Sequence, residues 1–184
     1  MEEPAHVARS ARVVGEANET VAAITSALGA AGLMVLSEPS AQLDVLVFVA
    51  PESPTMTFAG TSPAEFAGSL GGVLRGAFLA LQSGVAAMRA GSGRGSVVLV
   101  APPALHRAFD APRQGLRLLA KAAALELGPE GIRVNIVLPG AGETPLGGDC
   151  APANIAAAVA FIASDQSRFM TGADLVVDGG AMIS

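Results

Sequence analysis

The sequence of 184 residues has no tryptophan, no tyrosine, one cysteine and two histidines. Each shortage excludes something. Without tyrosine, no phenol is available as a proton donor or acceptor. With Cys150 alone, an intrachain disulfide and a multi-cysteine metal site are both impossible. Charged residues make up only 15%, and the net charge is −5, which is the wrong balance for a nucleic-acid footprint. The dispersed acidic residues form no metal-ligand constellation. The longest uncharged stretch, residues 20–37, contains Gly29 and Gly32 and reads as helix, turn and buried strand rather than a membrane span. The start, Met1-Glu2-Glu3-Pro4, is acidic and lacks the basic region of a secretory signal. A cytoplasmic protein that needs neither nucleic acid nor membrane is the expectation.

What is present is core. Hydrophobic residues are 51% of the chain, and the mean hydropathy is +0.52, so one domain over 1–184 is expected. Continuous apolar runs at 44–50, 96–101, 133–138 and 175–177 read as buried parallel strands, with weaker strands at 11–14 and 33–36. Helices fall between them. Ser62-Pro63-Ala64-Glu65 is a capping box with proline at the first helical position. It opens a helix predicted to run to about residue 90, on which Phe66, Leu70, Val73, Leu74, Ala77, Phe78, Leu81, Val85 and Met88 recur at three- and four-residue spacing. Further helices are predicted at 19–31 with Asn18 as cap, at 111–127 ending on Gly128-Pro129, and at 152–163. Alternation of strands and helices predicts an α/β fold: a doubly wound, Rossmann-like parallel sheet with helices on both faces. One connection is odd. Only Glu38 to Leu43 lie between the second and third strands, a reach of about 20 Å when extended, with no room for a crossover helix. Either the link is a bare crossover or the segment 33–36 is not a parallel neighbour in the usual way.

The second half resembles the short-chain dehydrogenase/reductase family. The residues that carry the resemblance are Leu43-Asp-Val-Leu-Val47, Gly76-Ala-Phe78 with Gln82, the stretch from Ala124 through Gly131-Ile-Arg-Val-Asn135, and Pro139-Gly140 with Thr144-Pro145. They continue with Phe161-Ile-Ala-Ser-Asp165, Thr171-Gly172 and Val177-Asp178-Gly179-Gly180. The resemblance covers about 43–180. It implies six strands ordered 2-1-4-5-6-7 in the family's labels, with one helix–strand–helix segment after the second strand missing. Residues 1–42 would then be an eroded cofactor half, and 43–184 a retained oligomerisation half.

The departures bear on function. Aligned with the family, the three glycines of its phosphate loop fall at Gly15, Glu19 and Val21, so a carboxylate and a branched side chain stand where a pyrophosphate would lie. Read by itself, Gly15 is a turn glycine. The family's polar Asn-Asn-Ala-Gly segment becomes Phe48-Val-Ala-Pro51. Its catalytic asparagine falls at Val73, its serine near Ala101 or Pro102, and its tyrosine and lysine at Phe109 and Arg113. Phenylalanine keeps the ring and loses the proton; arginine keeps the charge in a different shape. The resemblance therefore implies a degenerate member that carries no NAD(P) itself and pairs with a full-length, active subunit that does. It is similar to the non-catalytic subunit of two-subunit hydroxyacyl-CoA dehydrogenases, such as that of the benzylsuccinate pathway, so a hydroxyacyl- or ketoacyl-CoA is the expected substrate class of the complex. Subunit contacts are expected through helices 62–90, 111–127 and 152–163 and strand 173–178, with Leu79, Ala80, Ala86 and Ala87 forming a second apolar side on the long helix. Two other readings stay open. One is a binding or sensor module that uses the eroded pocket. The other is a cofactor-independent enzyme using His106, Arg107, Asp110 and Arg113. Thr144 matches a residue that touches the nicotinamide carboxamide in the family and reads here as a loop and cap residue; His6 reads as inert.

Overall fold

The structure is a computed structural model and describes residues 9–52, 57–103, 110–141, 144–146 and 150–181. His6, His106, Arg107 and Phe109 lie outside the described residues. Six parallel strands form one sheet: β1 (Ser10–Val14), β2 (Met34–Leu36), β3 (Val45–Val49), β4 (Gly95–Val100), β5 (Ile132–Pro139) and β6 (Asp174–Val177). Their order is β2-β1-β3-β4-β5-β6, as the resemblance implied. The helices are α1 (Glu19–Ala30), α2 (Pro63–Leu70), α3 (Gly76–Ala90), α4 (Ala111–Leu127) and α5 (Pro152–Ala163).

Side chains alternate across the strands, as a pleated strand requires. Val45, Val47 and Val49 face α1 and α5 in one core cluster. Leu46 and Phe48 face α3 and α4 in the other. With both faces covered, the strands need no polar side, and their apolar runs follow from that.

The short link is a bare crossover. β2 is paired only with the start of β1, from Ser10↔Met34 to Arg12↔Leu36. β3 begins beside Ala11, on the other side of β1. The chain therefore leaves β2 and enters β3 at nearly the same height. It has to step sideways across one strand, about 10 Å at the usual spacing, rather than return along a full strand. Asp44 fixes the landing point, with its Oδ2 accepting from the Ser10 backbone N–H at 2.8 Å and from Ser10 Oγ at 3.2 Å.

The helix predicted across 62–90 is not uniform. The capping box is present, with Ser62 Oγ accepting from Glu65 N–H and the Glu65 carboxylate accepting from Ser62 N–H. A π-helical segment, Gly71–Arg75, then separates α2 from α3. The wider turn shifts the phase of the helix, so α2 buries none of its residues while α3 buries six. Phe66 and Phe78 accordingly stand on the open side, and Ala80, expected on a second face, is in the core. Pro63–Ala90 is apolar and long enough to cross a membrane by those measures alone. Here its Val73, Ala77, Leu81, Val85 and Met88 pack into the sheet's core cluster.

A charged cluster ties α4 to β6. Arg117 Nη2 and Nε donate to Asp174 Oδ2 at 2.6 and 3.1 Å, and Lys121 Nζ donates to Oδ1 at 3.0 Å. Burial pushes the Asp174 carboxyl up, but the hydrogen bonds and charges of Arg117 and Lys121 outweigh it and hold it below its ordinary value. A carboxylate depressed in the folded state stabilises above its unfolded pKa and loses that contribution as pH falls through the folded value. The melting temperature is therefore expected to drop as pH falls below the ordinary aspartate range. Asp174→Asn should cost about 1 kcal/mol at neutral pH and flatten that acid limb. An unchanged acid limb in pH-dependent thermal melts would remove this pair from the account.

Candidate functional site

In an open α/β sheet the ligand crevice lies outside the carboxyl ends of the strands. Here those ends bring together Gly15 after β1, Ala50 and Pro51 after β3, Ala101 and Pro102 after β4, Pro139 and Gly140 at β5, and Asp178 after β6. The described aligned positions Gly15, Val73, Ala101 and Arg113 lie at or beside these ends.

At the first strand end, Gly15 is more than a turn glycine. A Cβ on it would meet Val49 Cβ and Val49 O at 3.0 Å and Val21 Cγ2 at 3.2 Å. The Val21 side chain thus fills the space beside the strand end. Asn18 caps α1, its Oδ1 accepting from Val21 N–H at 2.9 Å, and Glu19 occupies the first turn, exposed to solvent. The positive end of this helix dipole is already met by its own cap and its own carboxylate.

The next strand ends are apolar. Phe48, Val49 and Ala50 are buried, and the Phe48 ring lies under Gly76, where a Cβ would meet it at 3.2 Å. Val73, 1% exposed, sits in the π-helical segment, and Ala101, 3% exposed, follows β4; both belong to the same core cluster.

Arg113 reaches this cluster's edge with its side chain 3% exposed. It stands early in α4, just after Pro112, the helix start that the proline predicted. Its Nη1 donates to Pro102 O at 2.8 Å and to Pro139 O at 2.7 Å, so one nitrogen joins the ends of β4 and β5. Its Nε faces Asp110 Oδ2 at 3.6 Å. Burial pushes the guanidinium down from its ordinary value, with Asp110 opposing. Burial likewise pushes the Asp110 carboxyl up, opposed by Arg113 and by Gln114, whose Nε2 donates to Oδ2 at 3.1 Å. Nη2 of Arg113 is buried and has no hydrogen-bond partner among the described residues. A buried donor left unpaired costs about 1–3 kcal/mol. Nothing in the sequence signals this arrangement, because the two carbonyls are brought together only by the sheet.

Several of the residues that carried the resemblance hold the β5–β6 side of the sheet. Asn135, fully buried, donates from Nδ2 to Met170 O at 2.9 Å and accepts from Ala173 N–H at 3.0 Å. Thr171 Oγ1 accepts from Val134 N–H at 3.1 Å. Asp178 Oδ1 accepts from Gly180 N–H at 2.9 Å in a turn where Gly179 and Gly180 have φ of 57° and 87°. Thr144 packs beneath Gly179. Burial pushes the Cys150 thiol up, and its Sγ lies 3.1 Å from Val177 O.

Comparison with known proteins agrees with this architecture. The sequence matches the family described as enoyl-(acyl carrier protein) reductase over residues 31–149 and 141–182. It is 37% identical over 126 residues to the trans-4-hydroxycyclohexanecarboxylate dehydrogenase of Sinomonas cyclohexanicum, covering 58% of this chain and 48% of that protein. It is 37% identical over 129 residues to the 3-alpha-(or 20-beta)-hydroxysteroid dehydrogenase of Mycobacterium tuberculosis, covering 59% of this chain and 49% of that protein. The chain thus spans about half the length of these curated relatives. A 30% match to the L-rhamnose 1-dehydrogenase (NAD(P)(+)) of Azotobacter vinelandii covers 80% of this chain and 68% of the relative. Among solved structures, an oxidoreductase of the short-chain dehydrogenase/reductase family from Burkholderia thailandensis superposes with a TM-score of 0.85 at 26% identity, covering 97% of this chain and 94% of that one. By sequence match and by sheet order alike, the chain belongs to the short-chain dehydrogenase/reductase family.

Proposed function

We propose that this chain is a non-catalytic member of its family that completes a cytoplasmic oligomer with a full-length, active dehydrogenase subunit. The observation that carries the reading is the set of buried side chains at the aligned catalytic positions. Val73 and Ala101 hold no polar atom beyond the backbone, and the Arg113 Nη1 is committed to two backbone carbonyls. The aligned phosphate loop does not fit a dinucleotide. Val21 closes on Gly15, and Glu19 places a carboxylate where the ligand's charge would lie. NAD(P) is then the partner's cofactor, and a hydroxyacyl- or ketoacyl-CoA is our proposed substrate class for the complex.

The proposed contact is the outer side of α3 and α4. A groove of about 480 Å³ runs between them, lined by Phe78, Gln82, Ala86, Leu119, Ala122 and Ala123. Phe78, Leu79, Leu118 and Leu125 stand exposed on these helices, a patch whose burial would favour association. Co-expression with full-length dehydrogenases of the same cell, followed by native mass spectrometry, tests the reading. A mixed oligomer whose NAD(P)-dependent turnover is abolished by mutating the partner alone is expected. Ala122→Glu should weaken that assembly at least tenfold, leaving the melting temperature of the separate chain unchanged. A stable monomer that binds no dehydrogenase, or turnover of NAD(P) by this chain alone, would overturn the proposal.

A further inference from the structure

We infer that the amino end of the sheet carries a second site, which takes a small organic phosphate bearing a flat ring. A cavity of about 790 Å³ opens there, at the end of the strands opposite to the crevice described above. Arg9, Asp44, Arg94 and Gly131, which immediately precede β1, β3, β4 and β5, all line it. Its volume is that of a small-molecule pocket. Of the chain's 11 lysines and arginines, Arg9, Arg94, Arg133 and Arg168 line this one cavity. Among the described residues, only the Asp44 and Asp165 carboxylates oppose them there. In a chain of net charge −5, such a local surplus of positive charge draws anions to this place.

The four cations differ in what they have left to offer. Arg9 Nη1 donates to Asp165 Oδ1 at 3.1 Å. Arg133 is bonded to the carbonyls of Ile162, Ser164 and Met170. Arg9 and Arg133 nonetheless repel each other: burial pushes the Arg133 guanidinium down from its ordinary value, Arg9 adds to that, and Asp165 opposes. Arg94 and Arg168 are exposed, and their side chains have no ion pair or hydrogen bond among the described residues. Two guanidinium forks are therefore open at one cavity. A phosphate ester carries about −1.5 to −2 charges at neutral pH and three acceptor oxygens. That suits two forks, whereas a single carboxylate is matched by one. Phe169, next to Arg168, is fully exposed and lines the same cavity. Its ring offers a flat apolar face to the body of the ligand. The site shares no residue with the α3–α4 contact proposed above.

The test titrates phenyl phosphate, inorganic phosphate and phenol into the full chain by calorimetry at constant ionic strength. Phenyl phosphate is expected to bind saturably and about threefold or more tighter than inorganic phosphate, and phenol to give no binding heat. Arg94→Gln and Arg168→Gln change exposed side chains, so both proteins should melt as the parent does. Each is expected to weaken both phosphates about fivefold. Phe169→Ala should weaken phenyl phosphate and leave inorganic phosphate unchanged. No binding of either phosphate, or binding unchanged in either arginine variant, would overturn the site. Equal affinity for the two phosphates, or phenol binding as tightly as phenyl phosphate, would overturn the ligand class. Because the separate chain is used, either failure leaves the subunit reading standing.

Discussion

Gly140→Ala is expected to destabilise the protein by about 3 kcal/mol, lowering the melting temperature by about 10 °C for a domain of this size. Gly140 follows β5 and continues its ladder, donating its N–H to Val177 O at 2.8 Å. A Cβ there would stand 2.6 Å from Asp178 Cβ and 2.8 Å from Asp178 Cα. The obstacle includes backbone, so no rotamer change relieves it. Either the β5–β6 ladder opens, or Asp178 moves and breaks its bond to Gly180 N–H. Gly29 is the control. It lies in α1 with nothing within 4 Å of its would-be Cβ, so Gly29→Ala should stabilise by up to about 1 kcal/mol. Urea and thermal unfolding of both variants decide the matter. Equal stability of the Gly140 variant and the parent would show that the two strand ends are not so close.

Arg133→Met is expected to cost about 2–4 kcal/mol. The last four carbonyls of a helix lack intrahelical donors, and α5 ends against the start of β5. Arg133 supplies part of what is missing: Nη2 donates to Ile162 O at 2.9 Å, where Ser167 Oγ and Ser96 Oγ also donate, and to Ser164 O at 3.3 Å, while Nη1 donates to Met170 O beyond the helix at 3.1 Å. Nη2 also reaches Ser96 Oγ on β4 at 3.0 Å. One cation thereby joins β4, β5 and the end of α5, where the helix dipole favours positive charge. Methionine keeps the stem's apolar packing and removes every donor. Arg133→Lys should recover only part of the loss, because a point charge does not span the same set of acceptors. A methionine variant within 0.5 kcal/mol of the parent in denaturant unfolding would mean that water replaces the guanidinium at about no cost.

Much of this fold is legible in the sequence, for reasons that particular residues supply. Pro112 and Gly128-Pro129 bracket α4, and the observed bounds Ala111–Leu127 are those expected. Strands covered on both faces must be apolar throughout, so β3, β4 and β5 announce themselves. The π-helical segment is not legible. Residues 66–88 keep an unbroken helical repeat, and only the packed structure shows that one wider turn rotates α2 away from the core. The short link is also opaque in sequence, because its feasibility depends on how far β2 runs beside β1. At the candidate site the aligned residue types can be read along the chain. The shared bonding of Arg113 cannot, because Pro102 and Pro139 are neighbours only across the sheet.

The bare crossover leaves β2 as the outermost strand on its side. An outermost strand offers unpaired N–H and C=O groups to any other chain, which makes it a template for aggregation. β2 offers little of that kind. It is three residues long and is followed within a few positions by Glu38 and Pro39. The charge and the ring that cannot donate an N–H both discourage a foreign strand from pairing further along it. The brevity that lets the chain cross to β3 without a helix also protects the open margin of the sheet. Lengthening β2 would put both at risk together.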